Sequence, residues 1–498
     1  MLPSNINVNK KLLPIKGHFF FFNAGTAPLV PYLSTYARQL GFSSATVGLI
    51  YTVLPLFGLV AKPLFGVIAD RFKIQKTIFI IFQVTTIISF LGIYFIPGKA
   101  AVSVELDCNN GITVLRSCYK TAELVDNCTV TTLGNQNISA SCQVNTLNIF
   151  LTPDLNELFI GASESQLEET SKYTRQFWLF FMLMIASWIS QAVVVTFADA
   201  ICFNLLGEKV SAYGKQRLWG SVGWGIFSLL TGFLIDLLSD GAFKDYTVAF
   251  VLMAIFMAGD VVVSCFLKID STKMSMNILA DVGTLLSSLP TFVFLLWTIA
   301  VGVCTGLIWQ FLFWLLEDVS ALTCDGSDYV KTLQGLVSAI QTFCGEIPFL
   351  FVSGYILKRV GHVNMMSLVL FAFGIRFILY SFLTNAWWVL PIEVFQGITF
   401  GMFYPTLTSY ATIVSPPGTE TTVQGLVGAV FEGLGTALGS FVGGRLYETY
   451  GGWNTFRWFG YGALVCCALH ILAQYLIKGK TYIFFYNCDT NDSDVYAI

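Results

Sequence analysis

Twelve runs of mostly apolar residues, each about long enough to cross a bilayer, constrain this chain more than any other feature. They lie near residues 17–38, 43–69, 77–97, 175–205, 217–238, 246–267, 290–316, 332–358, 362–383, 386–413, 422–446 and 455–477. Water is missing from the hydrocarbon core, so each run must satisfy its own backbone hydrogen bonds, which it does as a helix. The 498 residues are 55% hydrophobic and 11% charged, less than half the charge of an ordinary soluble domain. The reading is an all-α multi-pass membrane protein. A formal net charge of −3 offers no basic surface for nucleic acid. The Phe-rich run from Phe19 continues past Pro28 and Pro31 as a full span, not as a cleavable signal peptide.

Basic residues in short loops set the orientation. Lys10, Lys11 and Lys16 share one side with Arg71, Lys73, Lys76, Lys209, Lys215, Arg217, Lys268, Lys273, Lys358, Arg359, Lys478 and Lys480. The opposite loops lean acidic, with Asp236, Asp240, Asp245, Asp325 and Asp328. Both termini are therefore placed in the cytosol, with the plasma membrane as the expected location. The long hydrophilic insertion at 98–174 then falls outside. It holds Cys108, Cys118, Cys128 and Cys142 as disulfide candidates, and two glycosylation sequons at Asn127 and Asn137. Cysteines and sequons together fit an oxidising compartment. Cys324 lies in another outer loop, so the connectivity stays open. The insertion reads either as a variable loop with one or two bridges or as a compact recognition subdomain for an extracellular ligand.

The second half repeats itself. Residues 332–361 align without gaps on 422–451, 90 residues on, with Gln334/Gln424, Gly335/Gly425, Gly345/Gly435, Gly354/Gly444 and Gly361/Gly451 coinciding. The offset spans three helices, an odd number, so the copies cross the membrane in opposite directions. The Gly220-Ser221-Val222-Gly223 run opening the fifth span echoes Gly425-Leu426-Val427-Gly428 opening the eleventh, and such small residues suit an interface between two moving bundles. The expected organisation is a six-helix bundle over 1–267, a cytosolic linker over 268–288, and a second bundle with a cytosolic tail over 289–498.

Several stretches carry a family resemblance. Gly66-Val67-Ile68-Ala69-Asp70-Arg71 lies between the second and third spans, followed by Lys73 and Lys76. Phe197-Ala198-Asp199-Ala200 closes the fourth span, and Tyr213-Gly214-Lys215-Gln216-Arg217-Leu218-Trp219-Gly220-Ser221 leads into the fifth. Phe313-Trp314-Leu315-Leu316-Glu317-Asp318 closes the seventh, and Pro416-Pro417-Gly418-Thr419-Glu420 precedes Gln424. These resemble the major facilitator superfamily, and within it the animal domain-containing protein 6 group, itself similar to bacterial lactose and phenylpropionate permeases. The superfamily pattern usually has another glycine where Lys73 stands. The resemblance implies a twelve-helix fold of two six-helix bundles with inverted three-helix repeats. It also implies a transport-type architecture in which Gly66, Asp70 and Arg71 form a cytosolic gate latch.

Ionisable groups at bilayer depth are costly unless paired or hydrated, so each is a functional candidate. They are Lys62, Asp199, Asp260, Glu346, Arg376, Glu393 and Glu432. At about 1.5 Å of rise per residue, Arg376 sits ~20 Å up from the cytosolic face and Glu393 ~10 Å down from the outer one, which is the same level in a ~30 Å core. An acid, a base and an acid on helices 8, 9 and 10 resemble the coupling apparatus of lactose permease. Glu393 then reads as the proton site, Arg376 as its modulator and Glu346 as a substrate-facing group; the alternative is a static ion pair. Asp199 and Arg217 read as a gating pair or a local bridge, and Glu432 as a cavity group or an interhelical contact. Lys62 reads as paired with an acid, Asp260 being one candidate, and His18 reads as an interfacial or packing residue.

No phosphate-binding loop, catalytic constellation, metal site or cofactor is expected. The expected activity is secondary transport of a small organic solute, with Trp309, Phe313, Trp314, Phe403 and Tyr404 as candidate stacking surfaces. The rival reading is a receptor or scaffold on a transporter fold that recognises its ligand through 98–174.

Overall fold

The computed structural model describes residues 11–96, 102–109, 112–119, 127–132, 175–206, 213–239, 244–267, 289–322, 326–415 and 420–488. The first crossing is broken: α1 (Leu13–Thr26) gives way to a 3-10 turn (Val30–Tyr32) before α2 (Leu33–Gln39) completes it. Pro31 in that turn has no N–H to donate, which prevents a continuous helix. α3 (Ser44–Phe72) starts at Ser43, whose hydroxyl accepts the Thr46 N–H at 3.3 Å, a cap worth about 1 kcal/mol. It ends at Lys73, which adopts φ 56°. This left-handed position is the one where the superfamily pattern has glycine, whose missing Cβ makes that conformation easy.

α4 (Gln75–Tyr94), α5 (Arg175–Leu206), α6 (Tyr213–Leu237) and α7 (Thr247–Cys265) complete the first six crossings. α8 (Leu289–Ser320) opens the second six. The eighth crossing runs through α9 (Gly326–Ile340), a π-turn (Gln341–Glu346) and α10 (Ile347–Val360), and α11 (His362–Tyr380) is the ninth. The tenth is segmented: α12 (Val389–Ile392), a 3-10 turn (Glu393–Phe395), a π-turn (Gly397–Met402) and α13 (Phe403–Val414). α14 (Glu420–Ala429), a π-turn (Val430–Gly435) and α15 (Thr436–Cys488) supply the last two, with the chain turning at Gly451. Among the described residues nine helical stretches are long and apolar enough to cross a membrane uninterrupted. The broken first and tenth and the division at Gly451 account for the twelve runs read from the sequence.

The repeat is visible in the backbone. Gly361 and Gly451, equivalent in the two copies, both take positive φ, 81° and 74°. Both copies also carry a π-turn at nearly the same register.

α1 lies against α6 and α7, α4 against α5 and α7, and α8 and α11 against α15. The first six crossings meet the last six mainly where α6 packs on α9 and α3 on α15. The glycines at 220 and 223 do not serve that junction. A Cβ at Gly220 would lie 2.7 Å from Asn23 Nδ2 and one at Gly223 2.7 Å from the Phe20 carbonyl, so both admit α1 within the first six helices.

Part of the insertion forms strands: β1 (Val102–Asn109), β2 (Ile112–Tyr119) and β3 (Asn127–Thr132) pair antiparallel in that order, with Cys118 opposite Cys128 in register. The hydropathy reading carries no strand there. Cys142 and Asn137 lie outside the described residues, as do the linker over 268–288 and the side chains of Asp70, Cys108, Cys118, Asn127 and Cys128.

Candidate functional site

A cavity of about 420 Å³ lies between the two sets of six helices. α1, α3, α5, α6, α8, the π-turn after α9 and the segmented tenth crossing all reach it. Its aromatic walls include Phe22, Trp188, Trp224, Trp309, Phe313 and Phe400, and its polar groups include Asn23, Arg217, Gln310, Gln341, Glu346 and Gln396. Trp309 and Phe313 thus stand where stacking is expected. Trp314 instead donates its indole N–H to the Ser34 carbonyl at 3.0 Å, and Phe403 packs on Phe431 and Trp297.

Arg376 and Glu393 meet, at 2.5 Å, and both are fully buried. Tyr380 donates to Glu393 Oε1 at 2.5 Å and accepts from Arg376 Nε at 2.7 Å. Arg376 Nη1 donates to Gln396 at 2.7 Å and Thr399 at 2.8 Å, while Gln341 donates to Glu393 at 2.6 Å. Neither charged residue lines the cavity; Gln341 and Gln396 do, and each is hydrogen-bonded to the pair behind it. These two glutamines were missed in the sequence, where an amide carries no depth cost to flag it. Glu346 lines the cavity and makes no hydrogen bond or ion pair with another described residue.

Glu432 pairs with Lys62 at 3.2 Å, joining α3 to the π-turn before α15. Lys62 therefore pairs with an acid, but not with the candidate Asp260: the acid of the opposite half is nearer. Asp260 instead accepts from His18 Nδ1 at 2.7 Å, with Gln83 donating to its other oxygen at 2.8 Å. His18 is buried and hydrogen-bonded, not interfacial. Asp199 and Arg217 come together at 3.0 Å, with Tyr213 donating to the same carboxylate at 2.7 Å. Gly66 is buried and Arg71 exposed near the end of α3.

A charged cluster closes the end of the cavity that the sequence places outside. Arg38 reaches Glu317 and Asp318 at the end of α8, and Lys331 at the start of α9 reaches Glu317 at 2.5 Å. Tyr447 donates to Asp318 at 2.5 Å, and Lys244 pairs with Asp236 at 2.9 Å. Glu448 accepts the Ala45 N–H at 2.8 Å. None of these charges was singled out for gating in the sequence, because they sit at span ends where charge is ordinary.

Repeat-equivalent glycines show that the two ends differ. A Cβ on Gly335 would fall 2.7 Å from the Ser228 carbonyl of α6, and one on Gly444 2.6 Å from the Ser44 carbonyl of α3. Their counterparts Gly425 and Gly354, at the other end, would meet nothing within 4 Å. Among the described residues, one end is sealed by close backbone approach and the other is not.

The MFS_1 like family model matches residues 12–458. A major facilitator superfamily domain-containing protein 6-like protein of Danio rerio is 23% identical over 93% of this chain and 86% of its own length. A maltose permease of Geobacillus stearothermophilus is 28% identical over 55% of this chain and 66% of its own. The crystal structure of the nucleoside transporter NupG superposes with TM-score 0.67 at 14% identity, covering 93% of this chain and 99% of that one, and so shares the fold.

Proposed function

The chain belongs to the MFS_1 like family of multi-pass membrane proteins, and from that premise we propose a secondary transporter that moves a small organic solute by alternating access. The observation that carries this reading is the unequal packing of equivalent glycines around one cavity, tight at Gly335 and Gly444 and open at Gly354 and Gly425. A carrier facing one side has this arrangement. With the basic loops cytosolic, the open end faces inward, and bundles over 1–267 and 289–498 rock about the cavity, joined by 268–288. The plasma membrane is the proposed location, with both termini cytosolic and the 98–174 insertion outside, glycosylated and disulfide-bonded.

The cavity favours a polar solute with an aromatic or ring face. Trp224, Trp309 and Phe400 offer stacking surfaces, while Asn23, Gln310, Gln341 and Gln396 offer paired donors and acceptors. Similar proteins named for maltose and for nucleosides fall in that chemical class. Glu346, unpaired at the wall, is the substrate-facing carboxylate. For Arg376 and Glu393 the closed hydrogen-bond network favours the static role: they hold Gln341 and Gln396 in place. Asp199, Arg217, Lys62 and Glu432 stand with Gly66, Asp70 and Arg71 as the gate of the open end.

The test is uptake by proteoliposomes across a panel of sugars, nucleosides and short peptides, with and without an inward proton gradient. Saturable flux of one compound supports the reading. No flux from folded protein across the panel rejects it and leaves a receptor acting through 98–174.

A further inference from the structure

We infer that His18 and Asp260 form a proton-binding site in the first six helices, a site distinct from the Arg376–Glu393 network. Both groups are buried inside the membrane-spanning bundle, His18 at 1% and Asp260 at 0% exposure. His18 Nδ1 lies 2.7 Å from Asp260 Oδ1. Gln83 on α4 donates to Asp260 Oδ2 at 2.8 Å and lies 2.8 Å from the Ser264 hydroxyl, so the carboxylate is held from two helices besides its own. Three rings, Phe19, Phe22 and Phe79, pack around the imidazole with centroids 5.0–5.7 Å away. Though buried, His18 borders the central cavity, and no described residue bonds its Nε2.

The charge count gives the site its chemistry. With one shared proton the pair carries a net negative charge among aromatic rings; a second proton, taken at Nε2 from the cavity, makes it neutral. Gln83 and Ser264, the other described polar groups packed on the pair, are uncharged, so no described side chain next to it offsets the charge when that proton leaves. The charged groups sharing the cavity are Arg217 on α6, already bonded to Asp199, and Glu346 across the gap. His18 lies in the second turn of α1, counted from the end of the bundle where Gly354 and Gly425 are unpacked. A proton held there is released to the open side and is cut off when that end closes. This gives a transporter a titrating group whose access changes with conformation.

The inference rests on the transport reading, so its test uses no solute. The sequence has three histidines. His362→Gln with His470→Gln leaves His18 alone, and both removed residues lie off the cavity lining. In the purified full chain, modification of His18 by diethyl pyrocarbonate, read as a mass increment on its peptide, reports the unprotonated Nε2 as a function of pH. The expected result is a single titration whose midpoint moves by about one pH unit or more in Asp260→Asn. A second readout separates coupling from mere titration. A cysteine replacing Gly425, at the open end, should change its maleimide labelling at least about threefold between acidic and alkaline pH, normalised to unfolded protein. That dependence should vanish in His18→Gln. An unreactive His18, a midpoint unmoved by Asp260→Asn, or an unchanged labelling profile in His18→Gln overturns the site. Any of these failures beside normal solute uptake leaves transport standing, whereas titration without uptake rejects transport alone.

Discussion

Arg38 of α2 stands 2.6 Å from Asp318 and 3.2 Å from Glu317, so one guanidinium on the first crossing clasps two carboxylates at the end of the seventh. Charge-assisted bonds of this kind are worth roughly 1.5–3 kcal/mol, and 1.4 kcal/mol is a tenfold change in a population. Replacing Arg38 with Gln should therefore raise opening of the sealed end by about tenfold or more. A cysteine at Ser338, inside the cavity, would report it through an impermeant maleimide added from outside. Labelling equal to that of the parent would show that the clasp does not hold the end shut.

Removing one member of the Arg376–Glu393 pair leaves a buried charge alone, at a cost of about 3–5 kcal/mol. Glu393→Ala should lower the thermal unfolding temperature sharply in detergent. Apolar replacement of both residues, Arg376→Met with Glu393→Leu, should recover most of the loss, because a packed apolar pair has no charge to desolvate. A double variant as unstable as the single one would contradict the static role.

Glu346 makes the opposite prediction. Nothing described bonds its carboxylate, so Glu346→Gln should leave the unfolding temperature nearly unchanged. If the solute meets this group, its apparent affinity in uptake should fall about tenfold, the worth of one charged hydrogen bond. A loss of stability without a loss of affinity would place Glu346 in the scaffold.

Gly335 and Gly425 occupy one position in two copies of one sequence, yet their surroundings differ. Gly335→Ala drives a methyl into the Ser228 carbonyl at 2.7 Å, an overpacking cost of about 1–3 kcal/mol. Gly425→Ala meets open space. Thermal unfolding should drop for the first and stay level for the second, and equal drops would argue against the asymmetry.

The proposed orientation puts the 98–174 insertion outside. Deglycosylation should shift the protein's mobility on a gel, and the shift should vanish when Asn127 and Asn137 are both changed to Gln. A protein insensitive to deglycosylation when expressed in animal cells would remove this support for an outer 98–174.

The spans and the repeat were legible because both are written in residue type: apolar length forces helices, and glycines mark where backbones must meet. The meeting of Arg376 with Glu393 was legible too, since helical rise alone puts them at one depth. The gate was not. Arg38, Glu317, Asp318 and Lys331 look like ordinary end-of-span charges until the helices are set side by side. That Lys62 pairs with an acid was legible, but not which acid, because distance along the membrane normal says nothing about which helix lies next to α3. His18 reads in the sequence as an interfacial or packing group; its hydrogen bond to Asp260 of the sixth crossing was not legible, because the two residues stand 242 apart along the chain.

The pairing of packed and unpacked glycines has an energetic consequence. If Gly354 and Gly425 come to pack as Gly335 and Gly444 do now, the close glycine contacts surrendered at one end are replaced by contacts of the same kind at the other. The repeat, written twice, then cancels much of the packing difference between the two conformations. What it leaves unmatched is the charged cluster around Arg38. A bound solute shifts the population only by as much as its differential affinity offsets that remainder.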